Sequence, residues 1–569
     1  MKKRFTVSIA FCVIFLFTVH TTHAQNFAWA AQNGTPNNFD DAKAIGVDGM
    51  GNVYVVGAFQ DSVDLDPGLP DVKVYGSGLS DIYVQKLDPS GNFVWAFSIG
   101  SSTLDQPHDI HVEPSGDFYI CGQMSGTVDF DPGVGTVLLT SAGSNDIFFA
   151  KYSTSGTLLF AKNMGGTDSD IGRSITADGS GNIYLGGQFE TTADFDPGMT
   201  TANLTAVGFT DLFLAKYDAS GNYLWAFSVG GGSFDGMQSI AISNSGDILA
   251  TGYYDDSGVD FDPGAGSLAL TSTGLSDIFA ASYTPAGALN WAKSIGSIND
   301  DMGISLVTDA SNNVFVTGYF QGVATDFDPG AGTYPITAAG YDIFILKLDA
   351  SGNFSWAKQI GGPMNEAAYN MATNASGNLY ITGYFNGIPD FDPDAGVANL
   401  IAAGGMDIFI ASYNSSGALN WVRGIGSSTT DAGQGICADA MGNVYTCGTF
   451  TSTADVNTDV VGSLYFTSLG AKDGFVHKIF GPTTEAKSIY PAHIVIFPSP
   501  ANEVVNVRLD KEYASVDVIL ADITGRTVGK RTEQNSSFVQ LDVAQLPSGT
   551  YILEVRTDAG TTITKLNKL

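Results

Sequence analysis

Basic residues are scarce in this chain of 569 residues. Lys and Arg total 25 against 58 Asp and Glu, which gives a formal net charge of -33. From Lys487 to the C-terminus the acidic and basic residues balance, so the excess negative charge lies before that point. A surface of this sign repels nucleic-acid phosphates and anionic membranes and attracts cations or basic partners. We therefore expect no nucleic-acid ligand and interpret the charge first as a source of solubility.

Long apolar runs are missing after the first residues. The chain begins with the basic segment Met1–Arg4, continues with an apolar run from Phe5 to Val19 and has a small residue at Ala24. The run is shorter than the roughly 20 residues that a membrane-spanning helix needs. This order of segments is typical of a secretory signal peptide. We predict a signal peptide over residues 1–24 and a mature chain from about Gln25 without a membrane span.

Cysteine and histidine are also rare, with four and six residues. Loss of Cys12 with the signal peptide leaves Cys121, Cys437 and Cys447, an odd number that leaves at least one thiol unpaired within the monomer. Cys437 and Cys447 flank one expected hairpin turn, so a disulfide between them is a hypothesis for an oxidising compartment. His108 and His111 lack a third ligand at metal spacing, and we interpret them as incidental.

Common catalytic motifs are absent from the sequence. It contains no G-x-S-x-G, H-E-x-x-H or P-loop pattern, which are signatures of hydrolases, metalloproteases and nucleotide-binding enzymes. We therefore assign no catalytic residue from the sequence.

A repeat of 65 or 66 residues dominates what the sequence does contain. All six tryptophans share one register, which is occupied by Trp29, Trp95, Phe160, Trp225, Trp291, Trp356 and Trp421. A fixed period of this length is the signature of a repeat architecture.

Each repeat holds four strand-like runs rich in Val, Ile, Phe and Tyr. In the first complete unit they are Ala42–Val47, Asn52–Phe59, Asp81–Leu87 and Asn92–Ile99. Gly, Asn, Asp and Pro bound these runs, as they bound strands, and short G-N connections suit hairpin turns. Seven such units predict an all-β fold, a seven-bladed β-propeller over residues 25–480. A linear β-solenoid is the alternative, although its coils are usually much shorter.

The two ends of the repeat region complement each other. We name the strands of a blade A to D from the axis outward, so that the tryptophan strand is D. The last unit supplies strands A to C at Gly435–Asp439, Asn443–Phe450 and Asp473–Ile479 but has no tryptophan strand. The chain begins with a spare one, Asn26–Gln32. We predict that this first strand completes the last blade.

An insertion between strands B and C carries the motif D-x-D-P-G. Carboxylates two residues apart lie on one side of an extended segment, and Ca²⁺ takes six to eight oxygen ligands. Alternatively, the motif is an Asp-capped turn that each blade needs, since Pro-Gly suits a type II turn and the full D-x-D-x-D-G calcium pattern is absent. The candidate Ca²⁺ ligands are Asp64, Asp66, Asp129, Asp131, Asp194, Asp196, Asp260, Asp262, Asp326, Asp328, Asp390 and Asp392.

Connections B–C and D–A leave an up-and-down blade on the same face. The D–A connections are also acidic, at Asp40, Asp41, Asp105, Asp168, Asp170, Asp235, Asp300, Asp301 and Asp431. We therefore expect one face to concentrate negative charge, with paired carboxylates around the axis on the ligand-facing side. The tryptophans lie on the outermost strand, so we interpret them as blade-to-blade packing residues rather than carbohydrate platforms.

The chain changes texture near its C-terminus. Residues 481–490 form a polar linker with a proline, and residues 491–569 alternate strand-like runs with Gly and Pro turns. We predict a small β-sandwich over residues 491–569.

The repeat resembles the SBBP β-propeller repeat family. The resemblance rests on W-A-K, D-x-x-G-N-x-Y-x-T-G, D-F-D-P-G and D-I-F-x-A-K-Y and covers Asn26 to about Phe480. It implies the propeller fold and a location outside the cytoplasm. It implies no activity.

The tail resembles the C-terminal sorting domain of the type IX (Por) secretion route. The matching blocks are Phe497-Pro498-Ser499-Pro500, Asp522-Ile523-Thr524-Gly525-Arg526, Ser548-Gly549-Thr550-Tyr551 and the basic end with Lys565 and Lys568. Ser499 stands where the family usually has Asn. The resemblance implies the type IX machinery as a partner of residues 491–569, export across both membranes and a secreted or cell-surface location.

Three functional hypotheses follow. The first is a secreted or surface-attached binding protein with a glycan or protein ligand. The second is a Ca²⁺-dependent hydrolase or lyase, which needs unique acids in one blade along the axis. The third is a structural surface or matrix component without a discrete ligand.

Overall fold

The computed structural model describes residues 26–36, 38–66, 72–459, 463–481, 494–497, 503–521, 526–557 and 560–568. The expected signal peptide and most of the expected linker lie outside these residues. The chain divides after Pro482 into two compact units. No helix in the described ranges is long and apolar enough to cross a membrane.

The first unit is a β-propeller, as the sequence predicts. Its described residues form seven blade sheets, six of four strands and one of six, and in each blade the antiparallel strands lie in the order A, B, C, D. In the second blade, strand D continues the sheet into a hairpin of the third blade. Each strand A contacts strand A of the next blade, and the first contacts the last, so the ring is closed.

The strand bounds follow the repeat closely. Strands A are Asp40–Val47, Gln106–Val112, Ile171–Ala177, Gly236–Ile242, Met302–Thr308, Ala367–Thr373 and Ala432–Ala438. Strands B are Val53–Phe59, Phe118–Met124, Ile183–Phe189, Ile248–Tyr254, Val314–Phe320, Leu379–Phe385 and Val444–Phe450. Strands C are Asp81–Leu87, Asp146–Tyr152, Asp211–Tyr217, Asp277–Tyr283, Asp342–Leu348, Asp407–Tyr413 and Asp473–Ile479. Strands D are Phe93–Ile99, Leu158–Gly166, Tyr223–Val229, Leu289–Ile295, Phe354–Ile360 and Leu419–Ile425, with Phe27–Asn33 in the seventh blade.

Short hairpins occupy most of the B–C insertions. They pair Ser62–Asp64 with Lys73–Tyr75, Thr127–Asp129 with Leu138–Thr140, Thr192–Asp194 with Asn203–Thr205, Ser257–Asp260 with Ala269–Thr271, Thr325–Asp326 with Pro335–Ile336, and Thr453–Asp455 with Tyr465–Thr467. In the sixth blade a single bridge joins Asp390 to Asn399.

The first strand closes the ring as predicted. Phe27–Asn33 pairs antiparallel with Asp473–Ile479 and is therefore strand D of the seventh blade. Trp29 also reaches the first blade, where its indole Nε1 donates to the carbonyl oxygen of Pro89 at 3.2 Å. Lys478 Nζ donates to the same oxygen at 2.8 Å.

Two further tryptophans couple neighbouring blades in the same way. Trp95 Nε1 donates to Thr154 O at 3.3 Å and Trp291 Nε1 to Ala350 O at 3.1 Å, in each case on the C–D turn of the next blade. The turn that Trp29 contacts has a glycine where the indole packs. Gly91 in this C–D turn of the first blade has a φ of 83°, and a Cβ there would lie 2.6 Å from the Trp29 ring. The expectation that the tryptophans pack between blades is confirmed.

The three cysteines of the described residues, Cys121, Cys437 and Cys447, are free thiols. On the hairpin of the seventh blade Cys437 is opposite Tyr445, and Cys447 is opposite Gly435. This offset of two residues explains why the hypothesised Cys437–Cys447 disulfide is not formed.

The second unit is all-β. Its strands are Ile494–Phe497, Val504–Ala521, Thr527–Asp542, Gly549–Thr557 and Gly560–Lys568. The two longest strands pair with each other, and the first and fourth strands pair with different halves of Val504–Ala521. Val507, Val518, Leu541 and Leu553 belong to one buried core, so both halves of the long strands contribute to the same interior.

Candidate functional site

The D-x-D-P-G carboxylates hold the backbone of their own loops. Asp194 Oδ1 accepts hydrogen bonds from the amides of Asp196 at 3.0 Å and Ala202 at 2.8 Å. Asp196 Oδ1 accepts from the amide of Gly198 at 2.8 Å. The same arrangement recurs at Asp129 with Asp131, Asp260 with Asp262, Asp326 with Asp328, and Asp390 with Asp392, and Asp64 accepts from the amides of Asp66 and Val72.

The aromatic residue between the two aspartates is a core residue. Phe195 is fully buried and packs against Phe189 and Phe213, with ring centroids 5.4 and 4.8 Å away. Its carbonyl oxygen accepts a 3.0 Å hydrogen bond from the Tyr217 hydroxyl. The motif therefore fastens the loop into the apolar seam between two blades, a role that the sequence interpretation missed.

These loops lie on the rim of the propeller. Asp194 pairs with Gly165 at the end of strand D in the preceding blade, and Asp390 bridges to Gly361 in the same way. Strand D is the outermost strand, so the expected ring of paired carboxylates around the axis is wrong. Across the described parts of the chain, no group of three His, Cys, Asp or Glu side chains is arranged to hold a metal ion. Ca²⁺ binding by these aspartates stays a prediction.

The calcium hypothesis has a direct test in melting temperature. If Ca²⁺ occupies the loops, it raises the melting temperature of the mature chain and a chelator lowers it, because a ligand that binds only the folded state stabilises it. The variant Asp260→Asn with Asp262→Asn keeps the turn chemistry and should respond less to Ca²⁺. A parent protein whose melting ignores both additions contradicts calcium binding.

A second set of carboxylates forms buried pairs between strands C and the D–A connections. Asp146 begins a strand C and Asp170 ends the next D–A connection, and both are almost fully buried. Gly165 separates them, and a Cβ there would lie 2.7 Å from Asp146 Oδ1 and 2.9 Å from Asp170 Oδ2. The pairs are Asp81 with Asp105, Asp146 with Asp170, Asp211 with Asp235, Asp277 with Asp301, Asp342 with Glu366, Asp407 with Asp431, and Asp473 with Asp40.

These pairs tie loops together at an electrostatic cost. Asp170 accepts hydrogen bonds from the amides of Gly166 at 2.6 Å and Glu190 at 3.2 Å, so it joins the D–A connection to the B–C insertion. Burial raises the pKa of Asp170 to about 7, and the charge of Asp146 contributes to the rise. Thus many D–A aspartates that were expected to form an acidic face are internal.

The buried pairs predict an unusual pH dependence of stability. Between about pH 4 and pH 7 the raised carboxyls, such as Asp170, stay protonated in the folded state. In the unfolded chain the same groups have an ordinary pKa of 3.8 and lose their protons. This contribution is therefore fully present below that value and is lost as the pH rises through the folded value near 7. We expect the melting temperature of the mature chain to be higher at about pH 5.5 than at about pH 8.

One substitution isolates this effect. Asp146 Oδ2 accepts from Ala142 N at 3.0 Å and Asn163 Nδ2 at 3.2 Å, whereas Oδ1 has no partner within the described structure. In Asp146→Asn the amide oxygen can keep both bonds while the amide nitrogen donates towards Asp170. We expect a higher melting temperature at about pH 8 and a weaker pH dependence. Asp256→Asn, at an exposed carboxylate whose pKa is lowered by backbone donors, should give no such gain, and a loss of stability in Asp146→Asn would contradict the argument.

The residues that face the axis differ from blade to blade. Every strand A carries a β-bulge, and the bulged residue has no partner in the register with strand B. These residues line a central channel with a volume of about 440 Å³. They are Lys43, His108, Arg173, Gln238, Ile304, Tyr369 and Gln434.

Blades one to three place basic residues on one side of the channel. Lys43, His108 and Arg173 occupy the bulges of these consecutive blades. Lys43 Nζ is 3.1 Å from the carboxylate of Asp41, so its charge has a partner. Burial and the charges of Arg173 and Lys43 lower the pKa of His108 to about 3, which leaves the imidazole neutral at physiological pH.

Blades four to six give the channel mouth an aromatic side. Tyr369 lines the channel and packs on Tyr384 with ring centroids 5.5 Å apart. Tyr319 and Tyr341 form a second edge-to-face pair at 5.0 Å. Tyr253 occupies the same position of strand B as Tyr319 and Tyr384, whereas blades one, two, three and seven have Ala58, Gln123, Gln188 and Thr449 there.

Hydrogen bonds between neighbouring strands A hold the channel wall. Asp109 Oδ2 accepts from Ser174 Oγ at 3.0 Å and from Ile175 N at 2.9 Å in the next blade. Ser174 Oγ in turn accepts from Ile240 N at 3.3 Å. The side chain after each of these bulges thus accepts a hydrogen bond from strand A of the next blade. The bulged residue itself is therefore free to differ between blades.

Sequence reasoning passed over these residues, including His108. The signal was available as seven positions spaced by 65 or 66 residues that differ in charge and size where most of the repeat is constant. It was hidden because a bulge reverses the alternation of strand faces, which only the paired register reveals.

Comparisons with known proteins identify the C-terminal domain and give partial matches to two curated proteins. Residues 495–568 match the family described as secretion system C-terminal sorting domain. Over 269 residues the chain is 27% identical to an uncharacterised WD repeat-containing protein of Acanthamoeba polyphaga mimivirus, which covers 42% of this chain and 19% of that protein. It is 24% identical over 254 residues to the regulatory protein FlaEY of Caulobacter vibrioides, which covers 42% of this chain and 26% of that protein.

Solved structures give weak overall similarity. A chain of the mitotic checkpoint complex has a TM-score of 0.39 at 10% identity and covers 84% of this chain and 99% of its own. A copper-bound fungal alcohol oxidase has a TM-score of 0.38 at 13% identity and covers 95% of this chain and 99% of its own. These scores carry no functional argument.

The matched tail indicates export by the type IX route to the cell surface or the medium, and the chain is a β-propeller followed by a secretion system C-terminal sorting domain.

Proposed function

We propose that this chain is an extracellular binding protein that takes its ligand in the axial channel. The observation that carries the proposal is the contrast between constant blades and different axial residues. The D-x-D-P-G loops, the tryptophans and the buried carboxylate pairs recur around the ring because each blade needs them for its structure. The seven bulged side chains have no such structural requirement, since their strands are held by the neighbouring positions.

The other two hypotheses have less support. A hydrolase or lyase needs unique acids at the axis, but none of the seven bulged residues is acidic, and Asp109 is held by Ser174 and Ile175. A purely structural component needs no difference between axial residues. The resemblance to SBBP repeats fits all three hypotheses, because it describes a fold.

A blocked channel tests the proposal. Binding of the mature chain is measured on arrays of extracellular glycans and peptides. Gln434→Trp places an indole in the channel and should abolish the binding seen with the parent chain. Ser267→Trp adds the same indole to an exposed rim loop and should leave binding intact. Binding that survives in both variants would overturn the channel as the site.

The sorting domain predicts where the protein is found. A chain that ends at Pro482 should still fold, because its contacts form a separate compact unit, but it should remain in the periplasm. The measurement is immunoblotting of cell fractions, with the full chain as control. Normal amounts of the truncated chain at the cell surface would refute the export role of residues 491–569.

A further inference from the structure

Arg173 is a half-buried cation in the wall of the axial channel, and it has no protein counterion within the described residues. Its guanidinium lies within a propeller that is rich in carboxylates, yet no ion pair or hydrogen bond of its side chain is found in the described ranges, and Nε is buried without a partner. Its electrostatic neighbours include the hydroxyl of Tyr253, the thiol of Cys121 and the imidazole of His108, and all three groups are neutral. A cation that is partly withdrawn from water and has no counterion is destabilised, and an anionic ligand would compensate it.

The neighbouring bulge offers a second polar group. His108 Nε2 is buried without a partner in the part of the chain that the structure describes. It lies on the same wall as Arg173, one blade away, and Arg173 and Lys43 are its main charged neighbours. An anion in front of this wall would accept hydrogen bonds from the guanidinium and from an imidazole N–H.

The rest of the channel suits a ligand that carries hydroxyl groups and has a flat apolar face. Tyr369 stands three blades from Arg173 and presents a half-buried ring that Tyr384 supports. Gln238, Asn370 and Gln434 add amide donors and acceptors between the two sides. A cavity of about 440 Å³ is within the size range of small-molecule sites. Tyrosine rings bury apolar faces, and amides bind hydroxyl groups.

We propose that the axial channel binds an acidic saccharide residue, with its carboxylate or sulfate on Arg173 and His108 and its ring against Tyr369. The proposal rests on the proposed function, since it names the ligand class of the same channel. Arg173 favours this chemistry because its planar fork matches a carboxylate or sulfate with two parallel hydrogen bonds. A basic ligand is disfavoured by the same unpaired cation.

Calorimetry on the mature chain tests the ligand class. The probes are an oligosaccharide of uronic acid units, a sulfated neutral oligosaccharide and an uncharged oligosaccharide of equal length. We expect one or both acidic probes to bind at least about tenfold more tightly than the uncharged one, since 1.4 kcal/mol of discrimination gives this factor. The two acidic probes distinguish a carboxylate from a sulfate ester.

Arg173→Gln separates binding from folding. It should weaken the acidic probe at least about tenfold and leave the melting temperature of the ligand-free protein unchanged or higher, because it removes a charge that has no partner. Tyr369→Ala should weaken both charged and uncharged probes. An arginine that served only the fold would instead lower the melting temperature when replaced.

The outcomes distinguish this inference from the proposed function. Equal affinity for acidic and uncharged probes, or no binding of either acidic probe at millimolar concentration, overturns the acidic saccharide. If a neutral glycan or a peptide binds the parent and Gln434→Trp abolishes it, the channel remains the site and only the ligand class is wrong. If acidic binding persists in Gln434→Trp, both proposals fail.

Discussion

A chain that lacks residues 26–33 is expected to lose cooperative unfolding of the whole ring. The missing strand leaves the edge of Asp473–Ile479 unpaired and removes the Trp29 contact to the first blade. It also removes Asn33, which exchanges two hydrogen bonds of 2.9 and 3.1 Å with the buried Gln85 side chain. We expect a fall in melting temperature of about 10 °C or more and a tendency to associate through the open edge.

The measurements are calorimetry and size-exclusion chromatography. A synthetic peptide of residues 26–33 is the control, since it can refill the edge by strand addition and should restore part of the lost stability. A scrambled peptide of the same composition should not. An unchanged melting temperature in the shortened chain would show that the first strand does not hold the ring closed.

Phe195→Ala is expected to destabilise the propeller by about 3–5 kcal/mol, the usual range for removing a buried phenyl ring. The ring of Phe195 fills the seam between the second and third blades, next to Phe149 and Met164 of one blade and Phe213 of the other. Its loss leaves a cavity that the two rigid sheets cannot collapse around. The readout is the midpoint of chemical unfolding.

A phenylalanine on the same face provides a matched control. Phe209 is 65% exposed and stacks on Phe234, which is also exposed, so Phe209→Ala should cost about 1 kcal/mol, well below the cost of Phe195→Ala. Asp196→Asn, next to Phe195, should cost less than Phe195→Ala because the turn survives. If Asp196→Asn were the more damaging change, the carboxylates would be the essential part of the motif.

The repeat explains why so much of the fold could be predicted. Strand C of the first blade is Asp81–Leu87 both in the sequence interpretation and in the structure, because its Asp and its following turn mark its ends. The closing strand could also be predicted, since a spare tryptophan strand at one end and a missing one at the other have one simple solution.

The candidate site was harder to predict for physical reasons. Repeated aspartates suggest a charged site in the sequence. In the structure Asp194 and Asp170 accept hydrogen bonds from backbone amides, and no sequence motif reveals such partners. Arg173 was missed because a single arginine gives no pattern. Its meaning comes from its place in the channel wall and from the lack of a counterion within the described residues, which depend on where the bulge turns the side chain.

The closing strand also sets the order of events during biogenesis. Gln32 donates to Asp473 across a sequence separation of 441 residues, so the first strand has to wait for nearly the entire propeller before it finds its partner. Pairing over such a distance is slow, because a long loop must be closed before the contact forms. The sorting domain follows the last propeller strand almost directly, so the export signal is synthesised only after every blade exists. A translation product that ends before Asp473 would have neither a sealed ring nor an export address.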